Sequence, residues 1–367
     1  MSMQNPFQGA FGLDIGDQSL KLVKLGVRRR LGFENGIKLQ RFLEIEELRE
    51  MNLPSGCVVN GEIVQPDALR STLLAITGAT GDKFKKARSP WVVIDLPEPK
   101  TFLKLIDISS AGEPSKEEVE LQAKKHLPFE LEEAYLDWEI ISANAGAKTY
   151  KVLLGAVPKI ISDSYANMLD SVGLQPIALE IEALSIARAM VTQTKDYTGV
   201  ARAILDLGAI RSSLVIYDKN TIQFSTNLSF SGNQLTIDIA TGLKIDYEEA
   251  EKLKREIGLV YDSRYPNYLQ NITKNTDKLI SEIQSAITFY RDHFRESNPI
   301  THITMCGGTA RLKELDQEIA RKLKISARPG NAWKNLQNKR FTESNRSAGL
   351  SWSSAVGLAL RAINYSA

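Results

Sequence analysis

Phe11-Gly12-Leu13-Asp14-Ile15-Gly16 and, 192 residues later, Ala203-Ile204-Leu205-Asp206-Leu207-Gly208 decide the fold of this chain. In each stretch an apolar run leads into Asp, one apolar residue and Gly. A second strand-like run follows each of them, Leu20-Lys21-Leu22-Val23 in the first case and Leu214-Val215-Ile216-Tyr217 in the second. Each unit is therefore predicted to be a β-hairpin with a tight glycine turn.

The chemistry of such a turn suits a phosphate ligand. Its glycine lets backbone N–H groups approach a ligand closely, and an Asp at the end of the strand can reach a hydrated cation. A single Asp-x-Gly turn is usually just a hairpin. Two copies in separate halves of the chain instead indicate a duplicated fold that grips phosphates from two sides.

Size and composition indicate two lobes and an ordinary protein surface. The 367 residues exceed what one hydrophobic core usually serves. With 46 Lys and Arg against 44 Asp and Glu, the net charge of +2 gives no electrostatic case for nucleic acid binding. The short basic clusters Arg28-Arg29-Arg30 and Lys83 to Arg88 are predicted to be solvated loops, with contact to a membrane surface as the alternative.

Cysteine content and hydropathy indicate a cytoplasmic protein without a membrane span. Cys57 and Cys306 are the two cysteines, which fits a reducing compartment. The first ten residues contain no basic or apolar segment of a secretory signal. Ser347 to Leu360 is uncharged, but it is too short and too rich in serine to cross about 30 Å of hydrocarbon.

The remaining pattern predicts mixed strands and helices. Trp91 to Leu96 is an apolar run typical of a buried strand. A strand-helix-strand insertion is expected from about Lys100 to Lys151. Thr276 to Phe294 has a one-sided apolar stripe and is predicted to be a helix. Arg41 to Leu53 is mixed and gives no single prediction.

The two turns, the Gly307-Gly308 turn and the charged helix around Glu248 to Arg255 together resemble the actin-like ATPase superfamily. Within it, the chain resembles the PilM family of type IV pilus assembly proteins. The resemblance covers most of the chain, and its further motifs are Leu127-Pro128-Phe129-Glu130-Leu131-Glu132-Glu133, Gly173-Leu174-Gln175-Pro176, Ile181 to Ala189 and Gly357-Leu358-Ala359-Leu360-Arg361. The Pro-Phe-x-Leu-Glu-Glu run is the part that distinguishes PilM from other actin-like folds.

The resemblance implies an α/β fold, namely the duplicated actin-like ATPase fold of the ribonuclease H type. It has two lobes and a small insertion, called 1C, in the first lobe. The implied domains are 1–99, 152–196 and 341–367 for the first-lobe core, 100–151 for the insertion, 197–231 and 298–340 for the second-lobe core, and 232–297 for a helical subdomain.

The resemblance also implies a nucleotide site with ATP or ADP and Mg²⁺. The implied nucleotide-binding residues are Asp14, Gly16, Asp17, Gln18, Ser19, Lys21, Asp206, Gly208, Ala209, Ser212, Glu251, Lys254, Arg255, Gly307 and Gly308. Asp14 and Asp206 would face the metal through water, because Mg²⁺ keeps several of its waters. Glu182 matches the position where relatives orient the attacking water between the lobes.

Individual residues have more specific expected roles. Ser19 and Lys21 share a face of the returning strand by the period of two, so both can reach phosphates. An exposed surface lysine is the alternative for Lys21. Ser212 is predicted to donate its hydroxyl to phosphate. The glycine pair would approach a purine, and the helix that carries Glu251 would contact ribose and adenine, although its charges could also form an ordinary surface ion pair.

Asp17 departs from the family pattern, in which Ser or Thr directly follows the loop glycine. A carboxylate about 4 Å from a phosphate would repel it by more than about 1 kcal/mol unless a cation lies between them. Three alternatives remain open. Asp17 turns outward, Mg²⁺ screens its charge, or the protein binds nucleotide weakly.

The leading hypothesis is a cytoplasmic ATP-binding scaffold of pilus assembly, at most a slow ATPase. The family implies that its partner is the extended N-terminal peptide of a PilN-like inner-membrane protein, held between the first-lobe core and the insertion. Other pilus assembly proteins and a second copy of the chain are further expected partners. The protein would then be peripheral at the inner membrane.

Two other hypotheses stay open at this point. One is a nucleotide-free adaptor of a pilus or type II secretion system, which Asp17 supports. The other is a small-molecule kinase of the same superfamily, for which no catalytic Asp signature is seen. A division-type actin homologue would end in a basic amphipathic helix, and Arg361 to Ala367 has no such character.

Overall fold

The computed structural model describes residues 7–32, 38–81, 83–87, 89–144, 148–294, 296–336 and 347–366. These residues form two compact units. The first comprises the described residues of 1–191, 333–344 and 354–367, and the second those of 192–332 and 345–353. The first segment of the second unit begins at Thr192. Within the described ranges, no helix has the length and apolar character needed to span a membrane.

The first unit contains a five-stranded sheet, flanking helices and the insertion. Its elements are β1 (Phe11–Ile15), β2 (Ser19–Gly32), β3 (Lys38–Asn52), β4 (Val58–Val59), β5 (Glu62–Ile63), α1 (Pro66–Ile76), β6 (Trp91–Leu96), β7 (Phe102–Ser109), α2 (Lys116–Ala123), β8 (Ala134–Asn144), β9 (Thr149–Pro158), α3 (Lys159–Ser171), β10 (Gln175–Ile181) and α4 (Glu182–Met190).

The second unit contains a second five-stranded sheet and most of the long helices. Its elements are β11 (Ala201–Leu207), β12 (Ser212–Asp218), β13 (Thr221–Leu228), α5 (Gly232–Leu243), α6 (Tyr247–Ile257), α7 (Tyr268–His293), β14 (Ile300–Cys306), α8 (Leu315–Leu323) and β15 (Ser326–Pro329). Helix α9 (Ser353–Ser366) then belongs to the first unit from Ser354 onward.

The two sheets have the same topology. The strand order is β10-β6-β1-β2-β3 in the first unit and β15-β14-β11-β12-β13 in the second. In each, three parallel strands adjoin an antiparallel meander. Adding 192 to the residue numbers of the β1–β2 pairs gives the β11–β12 pairs, so that Asp14 opposite Lys21 becomes Asp206 opposite Ser213. This identical register confirms the predicted duplicated fold.

Small residues allow α9 to pack closely against the first unit. A Cβ atom added at Gly12 of β1 would lie 2.4 Å from the backbone nitrogen of Ala359. A Cβ atom added at Gly357 would lie 1.8 Å from the carbonyl oxygen of Ser185 in α4. Both positions therefore require glycine, because no side-chain atom fits at either distance.

A buried ion-pair network connects β10, α4 and α9. The Glu180 side chain is fully buried, and its two carboxylate oxygens accept hydrogen bonds from Arg188 at 2.7 and 2.6 Å. Arg361 of α9 also donates to Glu180. Because a buried carboxylate without partners is costly, the two arginines offset the cost of burying Glu180.

The insertion has its own small core. Strands β7, β9 and β8 form an antiparallel ribbon in which β8 is the edge strand. Helix α2 begins with a capping box, in which the Ser115 side chain accepts from the Glu118 backbone and the Glu118 side chain accepts from the Ser115 backbone. Buried Ile106, Val119 and Leu154 pack together between the helix and the strands.

The structure corrects two local expectations and assigns one segment that the sequence left open. Arg28-Arg29-Arg30 lie within β2 and not in a solvated loop, whereas 83–87 form a connection as predicted and Arg88 lies outside the described residues. Residues 41–52 belong to the long strand β3. As the edge strand of its sheet, β3 carries many charges, which obscure the alternation that would identify it. Helix α7 begins at Tyr268, two turns before Thr276.

Candidate functional site

The turn between β1 and β2 is a tight backbone structure fixed at both ends. The Gly16 N–H donates to the Ser19 carbonyl at 3.1 Å, which closes the turn. The Gln18 carbonyl accepts from the Leu53 N–H at 2.8 Å, just beyond the end of β3. The two bonds hold the predicted first phosphate loop in one conformation.

Ser19 and Lys21 lie on one face of β2, as predicted. The Lys21 ammonium donates to Ser19 Oγ at 2.9 Å and lies 3.8 Å from Glu50 Oε1. Lys21 is also the cross-strand partner of Asp14. Its side chain is only 12% exposed, so it is not an ordinary surface lysine. An amine held in this way is positioned beside the turn before any ligand binds.

Asp17 is buried, with 8% of its surface exposed. The alternative in which this residue turns outward to solvent is therefore wrong. The two remaining alternatives are screening by a cation and weakened nucleotide affinity.

Three further acidic residues lie at the ends of the neighbouring parallel strands. Asp95 is near the end of β6, while Glu180 and Glu182 flank the end of β10. Burial raises the pKa of Asp95 well above its usual range, and the negative charges of Asp14, Glu182 and Glu180 raise it further. Glu182, expected to orient water, is thus close enough to influence Asp95. Sequence reasoning missed Asp95, which stands as the one charged residue in an apolar run.

The second turn repeats the backbone of the first. The Gly208 N–H donates to the Arg211 carbonyl at 3.0 Å. Here the glycine is indispensable, because an added Cβ atom would lie 2.4 Å from that carbonyl oxygen. The carbonyls of Gly208 and Ala209 accept from the N–H groups of Gly232 and Asn233 at 3.1 and 2.8 Å. The turn is thereby tied to the first residues of α5.

Ser212 is the first residue of β12 and pairs with Leu207 rather than with Asp206. Its side chain lies on the same face of β12 as Leu214 and Ile216, which belong to the core of the second unit. Its hydroxyl is buried without a hydrogen-bond partner in the described part of the chain. Ser213 is the serine that shares a face with Asp206, since the two are cross-strand partners.

Lys254 is a buried residue, with 7% of its surface exposed. Its ammonium donates to the Gly232 carbonyl at 2.8 Å, to Thr236 Oγ1 at 2.7 Å and to Glu251 Oε2 at 2.6 Å. These three bonds use all three ammonium protons. Burial lowers the pKa of Lys254, and the bond to Glu251 opposes that effect. Arg255, which pairs with Glu251 at 2.8 Å, has an exposed side chain and stays available to a ligand.

Gly307 and Gly308 form the strand-to-helix turn after β14. Gly307 has a φ of 83°, and a Cβ atom there would lie 2.6 Å from Asp206 Oδ1 and 2.4 Å from the Leu207 carbonyl. A Cβ atom at Gly308 would meet nothing within 4 Å, so there is open space beside it. Thr309, which sequence reasoning did not select, donates its hydroxyl to the Gly208 carbonyl at 3.0 Å.

Within each unit several of the expected residues lie beside the glycine turn, namely Asp14, Ser19 and Lys21 in the first and Asp206 and Gly307 in the second. In the first unit, the amine of Lys21 and the carboxylate of Asp14 suit a phosphate and a hydrated cation, and in the second the open side of Gly308 leaves room for a base. No group of three or more His, Cys, Asp or Glu residues in the described ranges has the geometry of a direct metal site.

Comparison with known proteins identifies a family and partial relatives. A family model described as type IV pilus assembly protein PilM matches residues 12–363. Cell division protein FtsA of Buchnera aphidicola subsp. Baizongia pistaciae (strain Bp) is 26% identical over 137 residues, which are 37% of this chain and 31% of that protein. FtsA of Bacillus subtilis (strain 168) is 28% identical over 88 residues, 24% of this chain and 18% of that protein. The chain thus spans less than a third of either curated relative.

Solved structures match over nearly the full length. The structure of a PilM-PilN type IV pilus biogenesis complex has a TM-score of 0.79 at 22% identity, covering 98% of this chain and 99% of that chain. MreB5 of Spiroplasma citri bound to AMPPNP has a TM-score of 0.54 at 13% identity, covering 97% of each chain. At these identities the likeness establishes the actin-like fold.

Proposed function

The chain belongs to the PilM family of type IV pilus assembly proteins, and on that premise we propose that it is an ATP-binding scaffold that docks the N-terminal peptide of a PilN-like inner-membrane protein. The family match over residues 12–363, which includes the whole insertion, is the observation that carries this proposal. It favours pilus assembly over an adaptor of another system and over a small-molecule kinase. Docking of this kind would hold a cytoplasmic protein at the inner membrane.

The junction between the insertion and α3 has the features that an extended peptide needs. Strand β8 is an edge strand, so its backbone can accept another strand. Two exposed apolar side chains lie at this junction, Tyr135 at 48% and Ile160 at 77% exposure. The Tyr135 hydroxyl donates to Asp163 at 3.0 Å, and Lys159 donates to the Glu132 carbonyl at 2.7 Å. These bonds hold the two sides of the junction together.

We assign the nucleotide to the two glycine turns. Ser19 and Lys21 would contact phosphate, and Asp14 and Asp206 would hold Mg²⁺ through water. The bound Mg²⁺ would screen the repulsion between the carboxylate of Asp17 and the phosphates. Gly307, Gly308 and the exposed Arg255 would contact the nucleoside, while Lys254 would only position α5. Glu182 is assigned to orienting a water molecule, and any hydrolysis would be slow.

Calorimetry tests the docking function directly. A synthetic peptide of the cytoplasmic N-terminus of the PilN-like protein from the same genome should bind the folded protein with micromolar affinity in the presence of ATP. Ile160→Asp should weaken binding about tenfold or more, because a charge replaces an apolar contact. The matched control is Val260→Asp, since Val260 is an exposed apolar residue of the second unit. No binding by folded wild-type protein would refute the assignment.

A further inference from the structure

The carboxyl ends of three parallel strands meet at one edge of the first-unit sheet. β6 pairs with both β1 and β10, with Leu13 opposite Ile94 and Ile181 opposite Leu96. Each strand has a carboxylate at this end. Asp14 is the fourth residue of β1, Asp95 the fifth of β6, and Glu182 directly follows β10.

Asp95 is the residue at this edge that the fold leaves unsatisfied. It is only 5% exposed, and its Oδ2 atom has no hydrogen-bond partner among the described residues. The charged groups that act on it, Asp14, Glu182 and Glu180, are all negative. Glu180 has comparable burial but is bonded to two arginines. A buried polar group left without its partner is unfavourable, so Asp95 weakens the unliganded fold.

We propose that Asp95 is a third carboxylate of the first-unit nucleotide site and that its Oδ2 atom accepts a hydrogen bond from a water molecule of the hydrated Mg²⁺ that accompanies ATP. The inference rests on the proposed nucleotide function. A metal-bound water offers the proton that Oδ2 lacks, and the cation offsets the repulsion among the three carboxylates. Contact through water agrees with the absence of a direct metal-ligand cluster in the described ranges.

Asp95→Asn separates this positioning role from a purely structural one. The amide has the shape of the carboxylate but no charge, so the unliganded protein should melt at the wild-type temperature or higher. The Mg²⁺ concentration that gives half of the maximal ATP affinity should rise about tenfold or more, which is typical of losing a residue that orients a metal ligand. ATP affinity in EDTA should change less than about twofold, because Oδ2 acts through the cation.

The experiment combines thermal unfolding with titration of fluorescent ATP over a series of Mg²⁺ concentrations. Glu98→Gln is the control, since Glu98 is also buried in the first unit, at 4% exposure, but lies beyond the strand ends. Asp95→Ser provides a second, smaller polar variant and should shift the Mg²⁺ dependence in the same direction.

The outcomes distinguish this inference from the function on which it rests. If wild-type protein responds to Mg²⁺ and ATP while both Asp95 variants show the wild-type Mg²⁺ dependence, the assignment of Asp95 is overturned. A lower melting temperature without a change in Mg²⁺ dependence would likewise make Asp95 a structural residue. Wild-type protein that gains neither stability nor signal from ATP would overturn the nucleotide function itself, and this inference with it.

Discussion

Replacing Lys21 with alanine should weaken ATP binding about tenfold. The ammonium is already held beside the first turn by Ser19 Oγ at 2.9 Å, and the side chain is 88% buried by the surrounding strands, being 12% exposed. Binding therefore requires little further ordering of this side chain. Lys21→Ala removes the positive charge that stands opposite Asp14 on the neighbouring strand.

The size of the effect follows from two opposing contributions. A hydrogen bond to a charged group contributes about 1.5 to 3 kcal/mol. Glu50, 3.8 Å from the ammonium, already neutralises part of its charge, which favours the lower end of that range. A loss of about 1.4 kcal/mol corresponds to a tenfold higher Kd.

Titration with a fluorescent ATP analogue at saturating Mg²⁺ measures the change. Lys24→Ala is the matched control, because Lys24 lies on the same strand and forms a comparable ion pair with Glu46 at 3.0 Å. The control should bind ATP like the wild type. If Lys21→Ala and Lys24→Ala bind ATP equally well, the amine of Lys21 does not contact phosphate and the assignment of the first turn is wrong.

Three further substitutions test other parts of the site and fold. Asp17→Ser should tighten ATP binding, most strongly at low Mg²⁺, because the screening cation is then scarce; equal affinity across a Mg²⁺ series would contradict a carboxylate facing phosphate. Lys254→Met should lower the free energy of unfolding in urea by about 2 kcal/mol, since it leaves buried acceptors unsatisfied, whereas Arg255→Met should change it little. Gly357→Ala should lower it by about 1 to 3 kcal/mol because α9 must move away from α4, and Gly112→Ala, whose Cβ atom meets nothing within 4 Å, should be tolerated.

The duplicated turns could be predicted because their signals are local. An apolar run, an Asp and a Gly followed by a second run specify strand, turn and strand without knowledge of the rest of the chain. The shared face of Ser19 and Lys21 likewise follows from the period of two. Both features depend on residues close together in sequence, and both are present in the structure.

Asp95 could not be assigned from its own strand. A central parallel strand is buried on both faces, so its apolar run has no alternation to show where one charged residue points. The pairing of β6 with β1 and β10 brings it to the edge where Asp14 and Glu182 lie. The available signal was a single Asp within the apolar run from Trp91 to Leu96, near the end of a predicted parallel strand.

The surroundings of Ser212 and Lys254 could not be predicted, for different reasons. Closeness to the turn in sequence does not show which face of β12 carries the Ser212 side chain. When the two duplicated hairpins are compared by their pairing, Ser212 corresponds to the core residue Leu20, and Ser213 corresponds to Lys21. Lys254 belongs to a charged helix that the family resemblance places at the ribose and adenine. The first turn of α5 packs against it and supplies acceptors from Gly232 and Thr236. Such a contact between helices leaves no local sequence signal.

The duplication preserves the backbone of the turns and changes their side-chain chemistry. The residue paired across the strands with the strand-end Asp is Lys21 in the first unit and Ser213 in the second. In the proposed site, the first turn would therefore offer a positive charge to a phosphate ligand. The second turn contributes a fixed backbone shape, because its Gly208 carbonyl accepts hydrogen bonds from Thr309 and from the start of α5. Phosphate affinity should accordingly depend on the side chain of Lys21 in the first unit and on the absence of a side chain at Gly208 in the second.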